Sequence, residues 1–528
     1  MCSQGCNEPE DVRSDGAGMN GATDANQDPL RSRRNPLEID ADEFARIGHR
    51  LVDDLAGLIR GLSERPLTPG EGVEDVRAAL RADASLPEEG MDAAGLLAEA
   101  TEFLLDHSLY NGHPRFFGYV PAAAGPVGVL GELLAATINP NVGAWVLSPA
   151  ATEIERQTVR WIAEFVGFPG TGDGIMVSGG NMANMLGFWA ARIAGAGRDL
   201  RTAGLCTEGV PRLRAYASRD THTWIHKIAD LSGLGLDGVR RVDTDGQGRM
   251  VVEALRSQIE ADVTAGDRPF LVVGTAGTVG TGAVDRLPAL RALCDEMGLW
   301  LHVDGAYGGF AAAVPEHVPD DLLGLGLADS LAVDPHKWLY APLEVGCTLV
   351  RNPQALVAAF GYRPEYYNFE AEATNYFERG IQNSRGFRAL KVWLQLRHAG
   401  RAGYRRMIAE DIELARRFHA LADRHPELEA WTRGLSITTY RYVPEELAGR
   451  TDEPDVAAYL DELNRAVQTR METSGLAFVS NAVVEGRYLL RMCVVNFRTR
   501  LQDVEALVEV SVRLGRELHR ETRRPPLE

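Results

Sequence analysis

Ser330-Leu-Ala-Val-Asp-Pro-His-Lys-Trp338 begins with four small or apolar residues and ends in a polar turn that carries a lysine. The run 330–333 has no polar face and is too short for a helix. It reads as a strand buried on both faces, and Pro335 stops it. Similar short runs occur at 174–177, 214–217, 270–273, 299–303 and 346–350. Helix-length segments separate most of them. This alternation implies an α/β layer with a mostly parallel sheet. In such a sheet ligands bind beyond the carboxyl ends of the strands. Residues just past each run are therefore the candidates for chemistry.

The pattern changes on both sides of this region. Residues 1–36 are rich in Gly, Asn, Asp, Ser and Arg and read as a disordered tail. Residues 37–124 read as a helical N-terminal layer. Asp40 is placed to cap a helix over 41–63, and Phe44, Ile47, Leu51, Leu55 and Leu58 follow at helical spacing. The α/β region spans 125–390. Residues 391–528 read as a smaller α+β domain, with helices over 455–473 and 502–520. Its strands are expected at 435–442, 476–484 and 488–497, the last two joined by a tight turn at Glu485-Gly486.

The chain has 528 residues, 45% of them hydrophobic, and a net charge of −19. That charge argues against nucleic acid or an anionic membrane as the main partner. No apolar run reaches the roughly 18 residues of a membrane span. The polar N-terminus has no secretory pattern, so a cytoplasmic location is expected. Cys2, Cys6, Cys206, Cys294, Cys347 and Cys493 match no metal or disulfide spacing and read as reduced thiols.

Four segments follow expected strands. Val177-Ser-Gly-Gly-Asn-Met-Ala-Asn184 opens a helix with small residues, which lets backbone N–H groups face an anion. In Leu301-His-Val-Asp-Gly-Ala-Tyr307, Asp304 is either a turn residue or a charge aimed into a cleft. Lys337 either snorkels or is a desolvated, nucleophilic amine. His222, in Asp220-Thr-His-Thr-Trp224, is either structural or placed to stack on a planar ring or carry protons. Each bland alternative holds in isolation; four such segments on successive strands of one layer favour a common site.

Taken together, these blocks resemble the group II pyridoxal-phosphate-dependent decarboxylases, with Asp334-Pro-His-Lys-Trp338 as the lysine signature. The resemblance runs from about residue 40 to Phe497. It implies an aspartate-aminotransferase-like fold (type I) and pyridoxal 5'-phosphate held as a Schiff base on Lys337. It implies that Asp304 pairs with the pyridine nitrogen, that Ala306 lies against the ring and that His222 stacks on its other face. Gly180, Asn181 and Met182 would bind the phosphate, helped by Asp334 and His336, with Thr278 nearby. No metal is implied.

The resemblance also makes Tyr376 a proton donor on a mobile loop, 11 residues before Phe387. Aldehyde-forming relatives tend to carry phenylalanine there. Tyr119, Pro121, Asn141, Gly143 and Ser384 match the segments that shape the side-chain pocket. Val120, Asn141 and Gly143 depart from the aromatic-specific pattern. The expected reaction is decarboxylation of an L-amino acid, most simply an aromatic one, by a homodimer. The alternatives are oxidative deamination to an aldehyde and decarboxylation of a non-aromatic amino acid such as glutamate.

Overall fold

The computed structural model describes residues 35–120, 122–170, 172–205, 209–362 and 373–522. Seven strands form the larger sheet: β1 (Asp173–Val177), β2 (Leu213–Ser218), β3 (Val239–Val242), β4 (Arg268–Thr275), β5 (Trp300–Asp304), β6 (Ser330–Val333) and β7 (Gly346–Val350). Their spatial order is β1-β7-β6-β5-β4-β2-β3. The pairs β3–β2, β2–β4, β4–β5 and β5–β6 are parallel. β7 runs antiparallel to both β6 and β1. Six strands thus point one way and one points back, as the apolar runs predict. β3 was not expected, because Val239-Arg-Arg-Val242 has charge at its centre. It is an edge strand, and Arg240 leaves it to pair with Asp262.

A second, antiparallel sheet has the order β10-β11-β9-β8. Its members are β8 (Leu428–Gly434), β9 (Ile437–Tyr442), β10 (Ser480–Val484) and β11 (Arg487–Cys493). Glu485 and Gly486 both take positive φ, 52° and 78°, which suits the tight turn between β10 and β11. β8 escaped the sequence reading because it is a half-exposed edge of mixed polarity.

The helix Ala41–Gly61 begins where expected, and Asp40 accepts a 2.8 Å hydrogen bond from the Glu43 N–H. The N-terminal layer is stitched to the small sheet rather than standing alone. Phe117 N–H donates to the Phe478 carbonyl, and Cys493 N–H donates to the Phe117 carbonyl. The boundary expected at 390/391 falls inside the helix Ala389–Arg424, which bends at Gly400. Its first part packs on the helices Pro126–Ile138 and Pro149–Phe165; its last part packs on β8 and β9. Cys294, Cys347 and Cys493 are buried free thiols, while Cys2, Cys6 and Cys206 lie outside the described residues.

A buried ion pair clamps the β1 edge. Arg385 donates to both oxygens of Glu155, at 2.6 and 3.2 Å, and to the carbonyls of Val142 and Met176. Both side chains are almost wholly buried. Removing one partner leaves a stranded charge, which costs about 3–5 kcal/mol. Arg385→Met should therefore lower the denaturation midpoint sharply, and the double variant with Glu155→Met should recover part of the loss. A single variant as stable as the parent would contradict this clamp.

Candidate active site

The carboxyl ends of β1, β2, β4, β5 and β6 converge on one cavity of about 260 Å3. After β1 the chain turns through Ser178 and Gly179 into the helix Gly180–Gly195. Gly179 has φ of 121°, a conformation open to glycine. A Cβ on Gly180 would lie 2.5 Å from Asp334 Oδ2. This absence of side chains exposes a helix N-terminus, whose N–H groups and dipole favour an anion. Gly180 and Asn181 line the cavity.

Asp304 ends β5 and is almost fully buried. Trp224 Nε1–H donates to its Oδ2 at 2.8 Å, and Ala306 N–H donates to its Oδ1 at 3.1 Å. These two donors fix the plane of the carboxylate and support its charge. Ala306 lies beside it on the cavity wall.

Lys337 Nζ lies 3.0 Å from Asp334 Oδ2. Asp334 is buried, and its Oδ1 has no partner among the described residues. A buried acceptor without a donor is costly unless something else occupies the site. His336 places Nε2 3.7 Å from Asp334 Oδ2 and donates Nδ1–H to the Val345 carbonyl at 2.7 Å. Burial holds both His336 and His222 below the ordinary histidine value. His222 Nδ1 accepts from the Trp224 N–H at 3.3 Å, which leaves its proton on Nε2.

The cavity therefore combines an anion-binding helix end, a fixed carboxylate, a neutral imidazole and an amine. An aromatic aldehyde that carries a phosphate and a basic ring nitrogen fits this set, which is the chemistry of pyridoxal phosphate. The family model for the pyridoxal-dependent decarboxylase conserved domain matches residues 76–438. The chain belongs to that family. An aromatic-L-amino-acid decarboxylase of Bacillus atrophaeus is 35% identical over 89% of this chain and 94% of its own. A tyrosine decarboxylase of Oryza sativa subsp. japonica is 34% identical, covering 87% and 88%. The crystal structure of Oryza sativa TDC with PLP and tryptamine superposes with a TM-score of 0.84 at 28% identity, covering 92% of this chain and 100% of that one. The protein is a pyridoxal-phosphate-dependent amino-acid decarboxylase.

Not every expected residue of the decarboxylase reaches the cavity. Met182 packs sideways among apolar residues at the β1 edge. Thr278 lies beside the cavity-lining Gly277 and Val279, but its hydroxyl serves its own turn, accepting from the Ala283 N–H and bonding Thr281. The loop expected around Tyr376 contains a short 3-10 turn, in which Tyr376 is 1% exposed and belongs to the apolar cluster of Ile175, Val177 and Leu356. Arg385 covers its ring at 4.7 Å. Its apolar surroundings won over the loop-like local sequence, and it does not line the cavity.

Tyr119, Asn141, Gly143 and Ser384 also lie outside this cavity. Asn141 Oδ1 accepts from the N–H groups of Gly143 and Arg385, which ties these two segments together. Tyr119 and Ser384 are exposed on the single chain. Pro121 lies outside the described residues.

Three contributors were missed. Trp224 holds Asp304. Arg491, 1% exposed, donates Nε–H to the Val279 carbonyl and Nη1–H to the Tyr119 carbonyl; its buried Nη2 has no partner among the described residues. His302 sits two residues before Asp304, on the same strand face. A histidine inside an apolar strand was the available signal. His302 is fully buried, and burial lowers its pKa to about 4. Below the ordinary value of 6.5 the unfolded chain takes up a proton that the folded chain refuses. Stability should therefore fall by about 2 kcal/mol between pH 7 and pH 5 from this group. Denaturation of the cofactor-free protein should show a shallower acid slope for His302→Gln; equal slopes would contradict the assignment.

Proposed function

We propose that this decarboxylase acts on aromatic L-amino acids and releases the corresponding amine and carbon dioxide. The substrate class is supported by the names of the relatives it resembles over most of its length. The observation that carries the reaction is the placement of the Lys337 amine and the Asp304 carboxylate in one cavity at the strand ends. Lys337 is the covalent anchor. Gly180 and Asn181 receive the phosphate at the helix end, with Asp334 and His336 lining that side. Asp304 would keep a proton on the ring nitrogen. His222, with its proton on Nε2, would cover the ring. Bound pyridoxal phosphate supplies the electron sink for the bond that loses carbon dioxide. The Nη2 of Arg491, which has no partner among the described residues, would suit the substrate α-carboxylate, since a buried cation favours an anionic partner.

A panel of L-amino acids should give carbon dioxide and amine in equal amounts for aromatic members, with no matching peroxide. Lys337→Ala should abolish turnover and the visible band of the lysine-bound cofactor. Arg491→Met should raise KM about tenfold or more for each active substrate, the loss of a charge-assisted hydrogen bond. Peroxide equal to product would establish aldehyde formation instead, and preference for glutamate would overturn the substrate class.

We also infer a cytoplasmic homodimer. No helix among the described residues is long and apolar enough to cross a membrane. The helix Pro126–Ile138 exposes Val129, Leu130, Leu133, Leu134 and Ile138, and Val146, Leu147 and Ile381 are exposed near Asn141 and Ser384. An apolar surface of this extent is characteristic of an interface. A second copy laid on it would bring Tyr119, Asn141, Gly143 and Ser384 toward a partner's cavity. Sedimentation should give about twice the chain mass; a fully active monomer would refute the arrangement.

A further inference from the structure

Pyridoxal phosphate in this cavity would be one rigid molecule engaging two anchors at once. Its phosphate meets the N-terminus of the helix Gly180–Gly195, and its ring nitrogen meets Asp304 on β5. A rigid ligand gains from the second contact only if the two anchors stand at a fixed separation. The helix and the strand are different elements, and something must hold one against the other.

A directed chain of hydrogen bonds runs between them. Trp300 Nε1–H donates to Ser330 Oγ at 2.8 Å, and Ser330 Oγ lies 2.8 Å from His302 Nδ1. His302 Nε2 lies 2.8 Å from Asn184 Oδ1, and Asn184 Nδ2–H donates to the Gly180 carbonyl at 2.9 Å. Only one assignment satisfies every contact. The Asn184 amide must donate to the carbonyl, so its oxygen faces His302 and must accept. His302 is then neutral with its proton on Nε2, as its burial requires, and Ser330 donates to Nδ1. The ring reaches the helix because Gly187 leaves room; a Cβ there would lie 2.5 Å from the imidazole. The chain thus begins on β5 and β6 and ends on Gly180, the first residue of the helix. His302 shares a strand face with Asp304, two residues away.

We propose that the His302–Asn184 bond is a strut that sets the phosphate-binding helix end at the correct distance from Asp304. Both are positioning residues for the cofactor. This rests on the assignment of Gly180 and Asn181 to the phosphate and of Asp304 to the ring nitrogen.

The test compares cofactor-free full-length protein titrated with pyridoxal phosphate and with pyridoxal, which lacks the phosphate. The dissociation constant of pyridoxal divided by that of pyridoxal phosphate reports what the phosphate contributes when the ring is also held. For Asn184→Ala and His302→Leu this ratio should fall about tenfold, the effect of one lost buried hydrogen bond, while pyridoxal affinity changes less than about threefold. His302→Gln, which keeps a donor, should recover part of the ratio; it and Asn184→Ser supply the measurement if the larger changes prevent folding. Equal weakening of both ligands would mean a merely structural role and would overturn the strut, as would an unchanged ratio in folded variants. A parent ratio near one would instead overturn the phosphate assignment beneath it.

Discussion

The site depends on holding one carboxylate in place where there is little water. Asp304 stands at the end of a buried strand, where an unsupported charge would be expelled or neutralised. Two donors make its position tenable: an indole N–H from the helix after β2 and a backbone N–H from its own turn. Both demand local structure. The indole must enter from Trp224, which requires the β2 turn to fold inward, and the Ala306 amide requires a tight exit from β5. The remaining polar groups of the cavity lie around that point. Lys337, His222 and the start of the helix Gly180–Gly195 line the same cavity as this carboxylate, whose plane two hydrogen bonds fix.

Much of this was legible in the chain itself. The apolar runs 330–333 and 346–350 coincide with strands from end to end, because burial on both faces leaves no room for polar interruption. Edge strands were harder to read. β3 carries two arginines and β8 is half exposed, so neither shows the signal that burial imposes. Within the site, Lys337, Asp304 and His222 could be found because charged or titratable residues at strand ends conflict with their surroundings. Trp224 and Arg491 were hidden for the opposite reason. An indole in an apolar helix looks like core, and an arginine in a mixed-polarity strand looks like surface. Both direct polar atoms across tertiary contacts.

Tyr376 shows the limit of reading a loop by composition. The stretch around it lacks apolar periodicity, yet its ring is enclosed by residues from β1, helix Gln354–Phe360 and the guanidinium of Arg385. Irregular backbone is compatible with deep burial when neighbouring elements satisfy its polar groups. Here Phe377 N–H donates to the Gly143 carbonyl, and Trp145 N–H donates to Asn375. These bonds join the segment to the chain around Gly143 and Trp145.

The reversed strand β7 has its own effect on how the protein can vary. The other six strands deliver their carboxyl ends toward the cavity edge, but β7 begins there. What it contributes is main chain: the Val345 carbonyl takes the His336 imidazole, and Gly346 lies so near Gly179 that a Cβ would come within 2.5 Å of that residue's backbone. A wall made of bare backbone is insensitive to most side-chain exchange around it but intolerant of any methyl at that single point. Substitution at Gly346 would therefore displace the turn at Gly179, whereas side-chain exchange elsewhere along β7 leaves that main-chain contact in place.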